Sequence, residues 1–407
     1  MKIIYLHQYF RTPEMSGGTR SYEMARRLVA AGHEVHMVTS KTDGGDNSGA
    51  WIQEQVDGIH VHWLPVPYNN AMGIARRLLA FSTFARKAGK YAANLEADVV
   101  FATSTPLTIA IPGVKASRAL NVPLVFEVRD LWPEIPIALN VLKSPFAKFL
   151  ARKLELWAYK NSESVVGLSP GMCEGVVRTG YDAERVHCIP NSADLEFFAV
   201  SDKVGGEFRR SRCWLGDRPL VLYAGTFGMV NGVSYLADMA KAMLQRNPTI
   251  CFLAVGDGAE YSKVRQRAEE NGVLGKNFFM ESSVSKREMP ALLNAATITT
   301  SLVIANRALW HNSANKFFDS LASGRPIFVN HGGWQADLLA ESGAGFEVPD
   351  DDPQEAAAQV MAFLADAQRV KRAGDAALTL AKSRFDRSVL ADQLESVLVD
   401  SVHRYHA

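Results

Sequence analysis

The sequence predicts an α/β protein built from two doubly wound, Rossmann-like domains. Three observations predict it. Short apolar runs of strand length alternate with segments of helical period, the alternation stops over residues 199–218, and it then begins again. Near-continuous apolar strands mark parallel sheets covered by helices on both faces. Two βα series separated by a break therefore give two such sheets. A chain of 407 residues is long enough for both, and with 47% apolar and 21% charged residues it can bury their cores without staples. The formal charge of +1 lacks the basic excess of a nucleic-acid binder, so no nucleic-acid partner is expected.

In the first series Ile3–Leu6 is a strand, followed by a Gly-containing loop. A helix then runs from Gly18 to Ala31, with Tyr22, Ala25, Leu28 and Val29 on one stripe and Gly32 at its end. Glu34–Thr39 is the second strand. Ile59, Val61 and Trp63 alternate with His60 and His62, which reads as a half-exposed strand whose two histidines share a face. Asp98–Ala102, Leu124–Val128 and Ser164–Leu168 complete the series. Residues 199–218 are polar, contain Gly205-Gly206 and read as a linker. The second series has strands at Leu220–Ala224, Ile250–Val255, Phe278–Met280, Ile298–Leu302 and Pro326–Val329. Ser285 followed by Glu288 is a capping box that opens a helix. Val389–Tyr405 is a long amphipathic helix with no strand after it, predicted to return to the first domain. The expected domains are 1–199 plus 386–407, and 200–385.

Cys173, Cys188, Cys213 and Cys251 form no CxxC pair, so they read as four reduced core thiols. The apolar start at Met1–Leu6 is too short for a signal peptide. No run approaches the roughly 18 apolar residues of a membrane span. A cytoplasmic chain is expected.

Ligands bind outside the carboxyl ends of strands in open α/β sheets, so the informative residues should follow strands. Ser16-Gly17-Gly18-Thr19 comes directly before the first helix, where glycines admit a ligand to the backbone and the helix tip offers amides to a phosphate. It is not GxGxxG, and no acidic residue ends the second strand, which argues against a dehydrogenase. The segment Ser313–Pro326 carries more. It reads as a helix closed by Gly324, with Lys316, Asp319 and Ser320 on one face and Phe317 and Leu321 toward the core. Amides of Ser313, Ala314 and Asn315 and the Lys316 ammonium suit a diphosphate at the tip. Asp319, about one turn deeper, suits ribose hydroxyls. Taken alone, Lys316 and Asp319 also fit an ordinary surface pair.

Six motifs occur in order: Ser16-Gly17-Gly18; Glu127-Val128-Arg129-Asp130-Leu131-Trp132-Pro133-Glu134; Ile189-Pro190-Asn191-Ser192-Ala193-Asp194; Tyr223-Ala224-Gly225-Thr226; Val255-Gly256-Asp257-Gly258; and Ala322-Ser323-Gly324-Arg325-Pro326. In this series the chain resembles, over essentially its whole length, the retaining glycosyltransferases of family 4, which have the GT-B fold. Arg129–Pro133 and Asn315–Asp319 look like the branch of N-acetyl-L-fucosamine transferases of surface-polysaccharide assembly. The resemblance implies two Rossmann-like domains facing a central cleft, a nucleotide-sugar donor and retention of anomeric configuration. It implies donor contacts at Gly17, Gly18, Gly225 and Gly256, and base contacts through the main chain near Ser283 and Val284, with uracil as the expected base. The departures are specific. The Arg and Lys that usually neutralise the donor diphosphate are Thr226 and Asn231 here. The usual paired glutamates are His311 and Asp319, and the usual His before Asp130 is Arg129. Lys316, Arg129 and Arg307 are the cations left to meet a diphosphate.

No Asp-x-Asp motif ends a strand, and Asp350-Asp351-Asp352 precedes a helix, where N-capping is the expected use. A transferase without metal or other cofactor is expected, with Asp130, Arg129 and Lys316 as the residues of the reaction. His60 and His62 lack a third ligand and are not read as a metal site. Met72–Tyr91 places Arg76, Arg77, Arg86, Lys87 and Lys90 beside Met72, Ile74, Leu78, Leu79, Phe81 and Phe84. Lys143–Lys160 repeats the pattern with Lys148, Arg152, Lys153, Phe149 and Trp157. Basic amphipathic helices of this kind suit anionic lipid, so a peripheral contact with the inner membrane near a polyprenyl-diphosphate-linked or saccharide acceptor is expected. Two rival readings share the two-domain shape: a non-hydrolysing UDP-sugar epimerase, which needs no acceptor, and a nucleotide-sugar-binding scaffold without turnover.

Overall fold

The computed structural model describes residues 1–15, 17–42, 50–68 and 72–407. The chain divides into two compact units, Met1–Pro190 with Ser388–Ala407, and Asn191–Arg387. The crossing points therefore fall at 190/191 and 387/388, where the sequence suggested 199/200 and 385/386.

The first unit holds an eight-stranded sheet in the order β3-β4-β2-β1-β5-β6-β7-β8. The strands are β1 Lys2–Leu6, β2 Glu34–Lys41, β3 Ile52–Val56, β4 Ile59–Pro65, β5 Val99–Thr103, β6 Leu124–Val128, β7 Ser164–Gly167 and β8 Val186–Cys188. All neighbours run parallel except β3, which turns back on β4 through Asp57 and Gly58, both at positive φ. The central strands are buried along their length, which is why they read as unbroken apolar runs. β4 is flanked by both β2 and β3, so His62 is buried rather than half-exposed. Its Nε2 meets His36 Nδ1 at 3.0 Å, and its Nδ1 meets the Tyr91 hydroxyl at 2.9 Å.

The helix Arg387–His406 belongs to this unit beyond its first residue. Leu390, Leu394, Val397 and Leu398 enter the same core as Ile3, Tyr5 and Val99. His33–Glu395 at 2.8 Å fixes its middle and Arg404–Ser164 at 2.6 Å its C-terminal end.

The second unit holds a six-stranded parallel sheet, β11-β10-β9-β12-β13-β14. Its strands are β9 Leu220–Ala224, β10 Cys251–Val255, β11 Phe278–Glu281, β12 Ile298–Ser301, β13 Ile327–Val329 and β14 Gly345–Glu347. The capping box at Ser285 and Glu288 is present and opens a 3-10 turn that leads into the helix Met289–Ala295. Residues 199–218 are not a linker. They carry the helix Asp202–Arg210 inside the second unit. Phe208 packs it on the core of that unit, and polar contacts do the rest: the Gly205 amide donates to Asn294 Oδ1 at 3.1 Å, and Arg209 donates to the carbonyls of Ala295, Gly216 and Arg218. Asp352 caps the helix Pro353–Leu364 by accepting from the Gln354 and Glu355 amides, the use expected for the acidic run.

Strand order reverses beside β1 in the first sheet and beside β9 in the second. A doubly wound sheet opens its binding crevice at such a point. In the first unit that point is held by a buried ion pair. Arg20 Nη2 lies 2.8 Å from Glu127 Oε2, and neither side chain reaches solvent. Glu127→Ala strands the guanidinium without a counter-charge and is expected to destabilise the first unit by about 3–5 kcal/mol. Hydrogen exchange should show faster opening of β1, β5 and β6 with β9 and β10 unchanged. Undiminished protection in β6 would refute the assignment.

Candidate functional site

In the first unit the site residues lie where β1, β5 and β6 end. Gly17 sits at φ +127, and a β-carbon there would come within 3.3 Å of the Arg11 side chain. Gly18 follows it, and the helix Arg20–Ala30 begins without any side-chain cap, its N-cap being Thr19. Ser16 lies outside the described residues. Arg20 uses its whole guanidinium. Nε and Nη2 hold Glu127, Nη1 donates to the Pro190 carbonyl at 2.6 Å, and Nη2 donates to the Ile189 carbonyl at 2.9 Å. Thr103 Oγ1 donates to the other Glu127 oxygen at 2.6 Å. Burial opposes ionisation of Glu127, but Arg20 and Arg129 overcome it and hold the carboxyl below its ordinary value.

Arg129 and Asp130 follow β6. The Arg129 amide donates to Ser104 Oγ at 3.0 Å, and its Nη1 donates to His7 Nε2 at 3.2 Å. Burial first, then Arg129 and Arg11, push the imidazole of His7 well below its ordinary value, so it is neutral. Its Nδ1 is buried without a partner among the described residues. Burial raises the Asp130 carboxyl to about 6, against a smaller opposing effect of Arg129. His7 and Arg20 were not singled out from the sequence. A histidine ending β1 and an arginine opening the next helix were the available signals.

In the second unit the loops after β9, β10 and β11 interlock through main-chain bonds. Gly225 N donates to Val255 O, Phe227 N to Asp257 O and Gly256 N to Glu281 O, at 2.9, 2.9 and 3.1 Å. Gly256 has φ +149, and a β-carbon there would stand 1.9 Å from the Gly225 carbonyl oxygen, so no other residue fits. The Asp257 carboxylate accepts from the amide and hydroxyl of Ser283, which keeps its pKa below the ordinary value and fixes the turn leading to Val284.

Lys316 is the centre of this half. It lies in the first turn of the helix Asn315–Ala322, whose start has no side-chain cap. Its Nζ donates to Asn231 Oδ1 at 3.2 Å and lies 5.0 Å from the centre of the Tyr223 ring. The Tyr223 hydroxyl and Asn231 Nδ2 both donate to the Thr226 carbonyl, at 2.7 and 2.9 Å. Asn231 thus holds the Lys316 ammonium, and Thr226 holds Asn231 in place. Gly225 leaves room for it: a β-carbon would come within 2.7 Å of Lys316 Cε. Burial among these neutral groups lowers the ammonium to about 8.

Not all the expected tip groups are available. Of the expected amides that of Ala314 is taken, donating to Asn312 Oδ1 at 3.3 Å, while Asn191 holds the Ser313 hydroxyl and carbonyl and leaves its amide. The Asn315 and Lys316 amides have no acceptor among the described residues. Asp319 does not pair with Lys316. Its Oδ2 meets Lys286 Nζ at 3.0 Å, and its Oδ1 is buried without a bonded donor. Lys286 itself lies 4.8 Å from the Phe198 ring. Arg307 is exposed over the Trp310 ring, 5.4 Å from its centre, and meets no carboxylate among the described residues. Among those residues no group of three or more His, Cys, Asp or Glu is arranged to hold a metal.

The basic segments fold as the helices Ile74–Ala92 and Pro145–Lys160. Phe84 and Tyr159 anchor them in one core on the same side of the first sheet. Leu78 and Leu79, read as part of the apolar stripe, are 59% and 66% exposed because Ala80, Phe84 and Ala88 make the buried contact instead. Arg76, Arg86 and Lys87 are exposed beside them, while Arg77 Nε is turned back to the Met72 carbonyl at 3.0 Å. On the other helix Phe146, Phe149 and Leu150 are 69%, 54% and 48% exposed, with Lys153 over the Phe149 ring. No helix among the described residues is long and apolar enough to cross a membrane.

Each of the two open α/β units matches a sequence family. The first unit matches the glycosyl transferase 4-like domain over residues 17–192, and the second matches the glycosyl transferases group 1 domain over residues 218–366. The chain is a glycosyltransferase of the GT-B type, with one family domain in each unit. An alpha-D-kanosaminyltransferase from Streptomyces kanamyceticus is 24% identical over 285 residues, 69% of this chain and 71% of that one. Sucrose-phosphate synthase from Thermosynechococcus elongatus shares the fold at a TM-score of 0.81 and 17% identity, with 98% of each chain covered. HepE from Anabaena, solved in complex with UDP-glucose, does so at 0.72 and 17%, covering 98% of this chain and all of its own.

The Lys316 environment is directly measurable. With carbon-labelled lysine, the Lys316 resonance should titrate near 8, below the ordinary lysine value of 10.5. Gly225→Ala, which drives Cε from its slot, should move that resonance back toward the others. A wild-type protein in which all lysines titrate together would refute the buried ammonium.

Proposed function

We propose that this protein transfers a sugar, specifically an N-acetylated amino sugar, from a UDP-sugar to a lipid-linked or saccharide acceptor in surface-polysaccharide assembly. The observation that carries the reading is the Lys316 ammonium, held by neutral groups beside two free amides at the tip of its helix, with the unpartnered Asp319 oxygen in the turn behind. A desolvated cation without a counter-ion is a seat for an anion. A carboxylate oxygen without a donor suits a ribose hydroxyl. The UDP-glucose in HepE supports uridine as the nucleoside. The kanosaminyltransferase supports an amino sugar.

The proposed chemistry is metal-independent and retaining. The bond from the anomeric carbon to the diphosphate oxygen breaks while the acceptor hydroxyl approaches on the same face. The departing phosphate oxygen takes the hydroxyl proton. Lys316, the Asn315 and Lys316 amides and the loop at Gly17-Gly18 stabilise the charge that develops on the phosphates. Arg129 adds a cation to the phosphates, and ionised Asp130 orients the sugar or the acceptor hydroxyl. Main-chain groups at Ser283 and Val284 receive the base. The exposed apolar and basic residues of the helices Ile74–Ala92 and Pro145–Lys160 suit a headgroup surface, which would bring a polyprenyl-diphosphate-linked acceptor to the enzyme.

Four measurements test this. In a panel of nucleotide-sugars, UDP should be released only when acceptor is present. A new UDP-sugar formed from donor alone would mean an epimerase, and donor binding without turnover on any acceptor would mean a scaffold. Lys316→Ala should lower kcat/KM by at least about 100-fold, the size of losing one charge-stabilising donor, with the fold retained, and chelator should leave the wild-type rate unchanged. The pH profile of kcat/KM should rise through about 6 as Asp130 ionises and fall through about 8 as Lys316 loses its proton. Loss of activity with chelator, or a profile without the alkaline limb, would overturn the mechanism.

Membrane contact has its own test. The protein should co-sediment with vesicles containing anionic phospholipid and not with neutral ones, and Leu79→Ser with Phe149→Ser should reduce the bound fraction severalfold. Binding indifferent to lipid charge would refute it.

A further inference from the structure

Cys173 and Cys188 show no paired spacing in the sequence, yet the fold brings them together. β7 and β8 run parallel with Gly167 opposite Cys188. Gly167 has no side chain, and the helix Pro170–Arg178 fills the vacant position with the Cys173 sulfur, which would stand 2.7 Å from a β-carbon on Gly167. The Cys173 thiol therefore occupies the side-chain slot beside Cys188 on the next strand, where it donates to the His187 carbonyl at 3.7 Å. Cys188 is exposed and Cys173 half-buried, whereas only Cys251 is a core thiol of the kind the sequence suggested for all four.

The pair is asymmetric in a useful sense. The neighbouring Cys173 thiol, and more weakly the charge of Arg20, hold the Cys188 thiol below its ordinary value against burial. Proximity to Cys188, with burial, pushes Cys173 up. The exposed member is thus the better nucleophile, and the half-buried member is placed to follow it. Cys188 also leads directly into Ile189 and Pro190, whose carbonyls are held by Arg20, and the Ile189 amide is bonded to Gly167 O at 2.9 Å.

We propose that Cys173 and Cys188 form a dithiol modification site that takes a two-electron thiol oxidant of the glutathione-disulfide class and closes to a disulfide between the helix Pro170–Arg178 and β8. In the first step the Cys188 thiolate attacks one sulfur of glutathione disulfide, forming a mixed disulfide and releasing one glutathione thiolate. In the second, Cys173 loses its proton to solvent and attacks the Cys188 sulfur. The mixed disulfide breaks and the second glutathione leaves. The two protein thiols are oxidised by two electrons, and one glutathione disulfide is reduced to two glutathiones. The product staples the last strand of the first sheet to its helix at the point where the chain leaves that unit.

The test uses the full-length protein with Cys213→Ser, which removes the other exposed thiol. After titration with glutathione disulfide, alkylation and peptide mapping should find a Cys173–Cys188 cross-link, no glutathione on the protein and complete reversal by dithiothreitol. Adding Cys173→Ser should trap one glutathione on Cys188. Adding Cys188→Ser should slow the reaction at Cys173 by at least tenfold. A protein with Cys173 intact that accumulates glutathione on Cys188 without closing, or that cross-links Cys251 instead, overturns the proposal. So does one in which Cys173 reacts as fast without Cys188 as with it.

Discussion

The pairing of Arg20 with Glu127 is the contact on which the first unit's binding edge depends. Four elements that are remote in sequence meet at it: the first turn of a helix, the ends of β5 and β6, and the segment leaving β8. A buried ion pair is costly unless each remaining donor and acceptor is matched, and here the matching is done by the main chain. Both carboxylate oxygens are occupied, and the guanidinium spends its remaining hydrogens on two carbonyls. Moving any one of these elements would leave a charge or carbonyl unsolvated, so the loop at Gly17-Gly18 is carried on a helix whose start cannot shift. The same network brings Ser104 under the Arg129 amide, which fixes Arg129 against His7.

The second unit reaches the same end without a buried ion pair at its switch strand. Loops after three adjacent strands are tied by amides to carbonyls, and Gly256 permits an approach that any side chain would block. That frame aims the strand ends at the helix of Lys316. At the loop after β9, Thr226 and Asn231 serve as scaffolding: the Thr226 carbonyl fixes Tyr223 and Asn231, and Asn231 holds the Lys316 ammonium away from water. A screened surface cation contributes little, whereas a desolvated one acts through a lower effective dielectric. Fewer charges with poorer solvation can do comparable work.

What could be read from the sequence, and what could not, divides along physical lines. The central strands were legible because both sheet faces are covered and nothing polar interrupts them. β3, β8 and β14 are short or exposed and carry no such run. The helix Asp202–Arg210 was invisible because one aromatic, Phe208, makes its apolar contact, and the rest is a glycine contact and arginine bonds to carbonyls, which have no hydropathy period. Lys316 was legible as the first-turn cation of a helix after a strand. Its partner Asn231 was named for what it replaces, and its anchoring role required the fold. Arg20–Glu127, Lys286–Asp319 and Cys173–Cys188 are long-range pairs, and a single sequence carries no signal for contacts across a sheet.

The Asp319 contact shows how a shortened side chain can keep a position useful. Aspartate reaches one methylene less far than the glutamate common in the family, and its Oδ2 is met by Lys286, whose long stem lies over Phe198. That ion pair fixes the carboxylate plane and cancels its charge, so the negative group near Lys316 does not compete for the ammonium. Oδ1 keeps its acceptor capacity and is buried, which makes an empty lone pair expensive and a hydroxyl donor correspondingly favoured. Lys316 is thus left as the unpaired cation beside that acceptor oxygen, held by a neutral amide and not by a carboxylate. In the first unit Arg129 is half-buried in a comparable setting, its guanidinium bonded to the neutral His7 imidazole while its charge helps to hold the Glu127 carboxyl down.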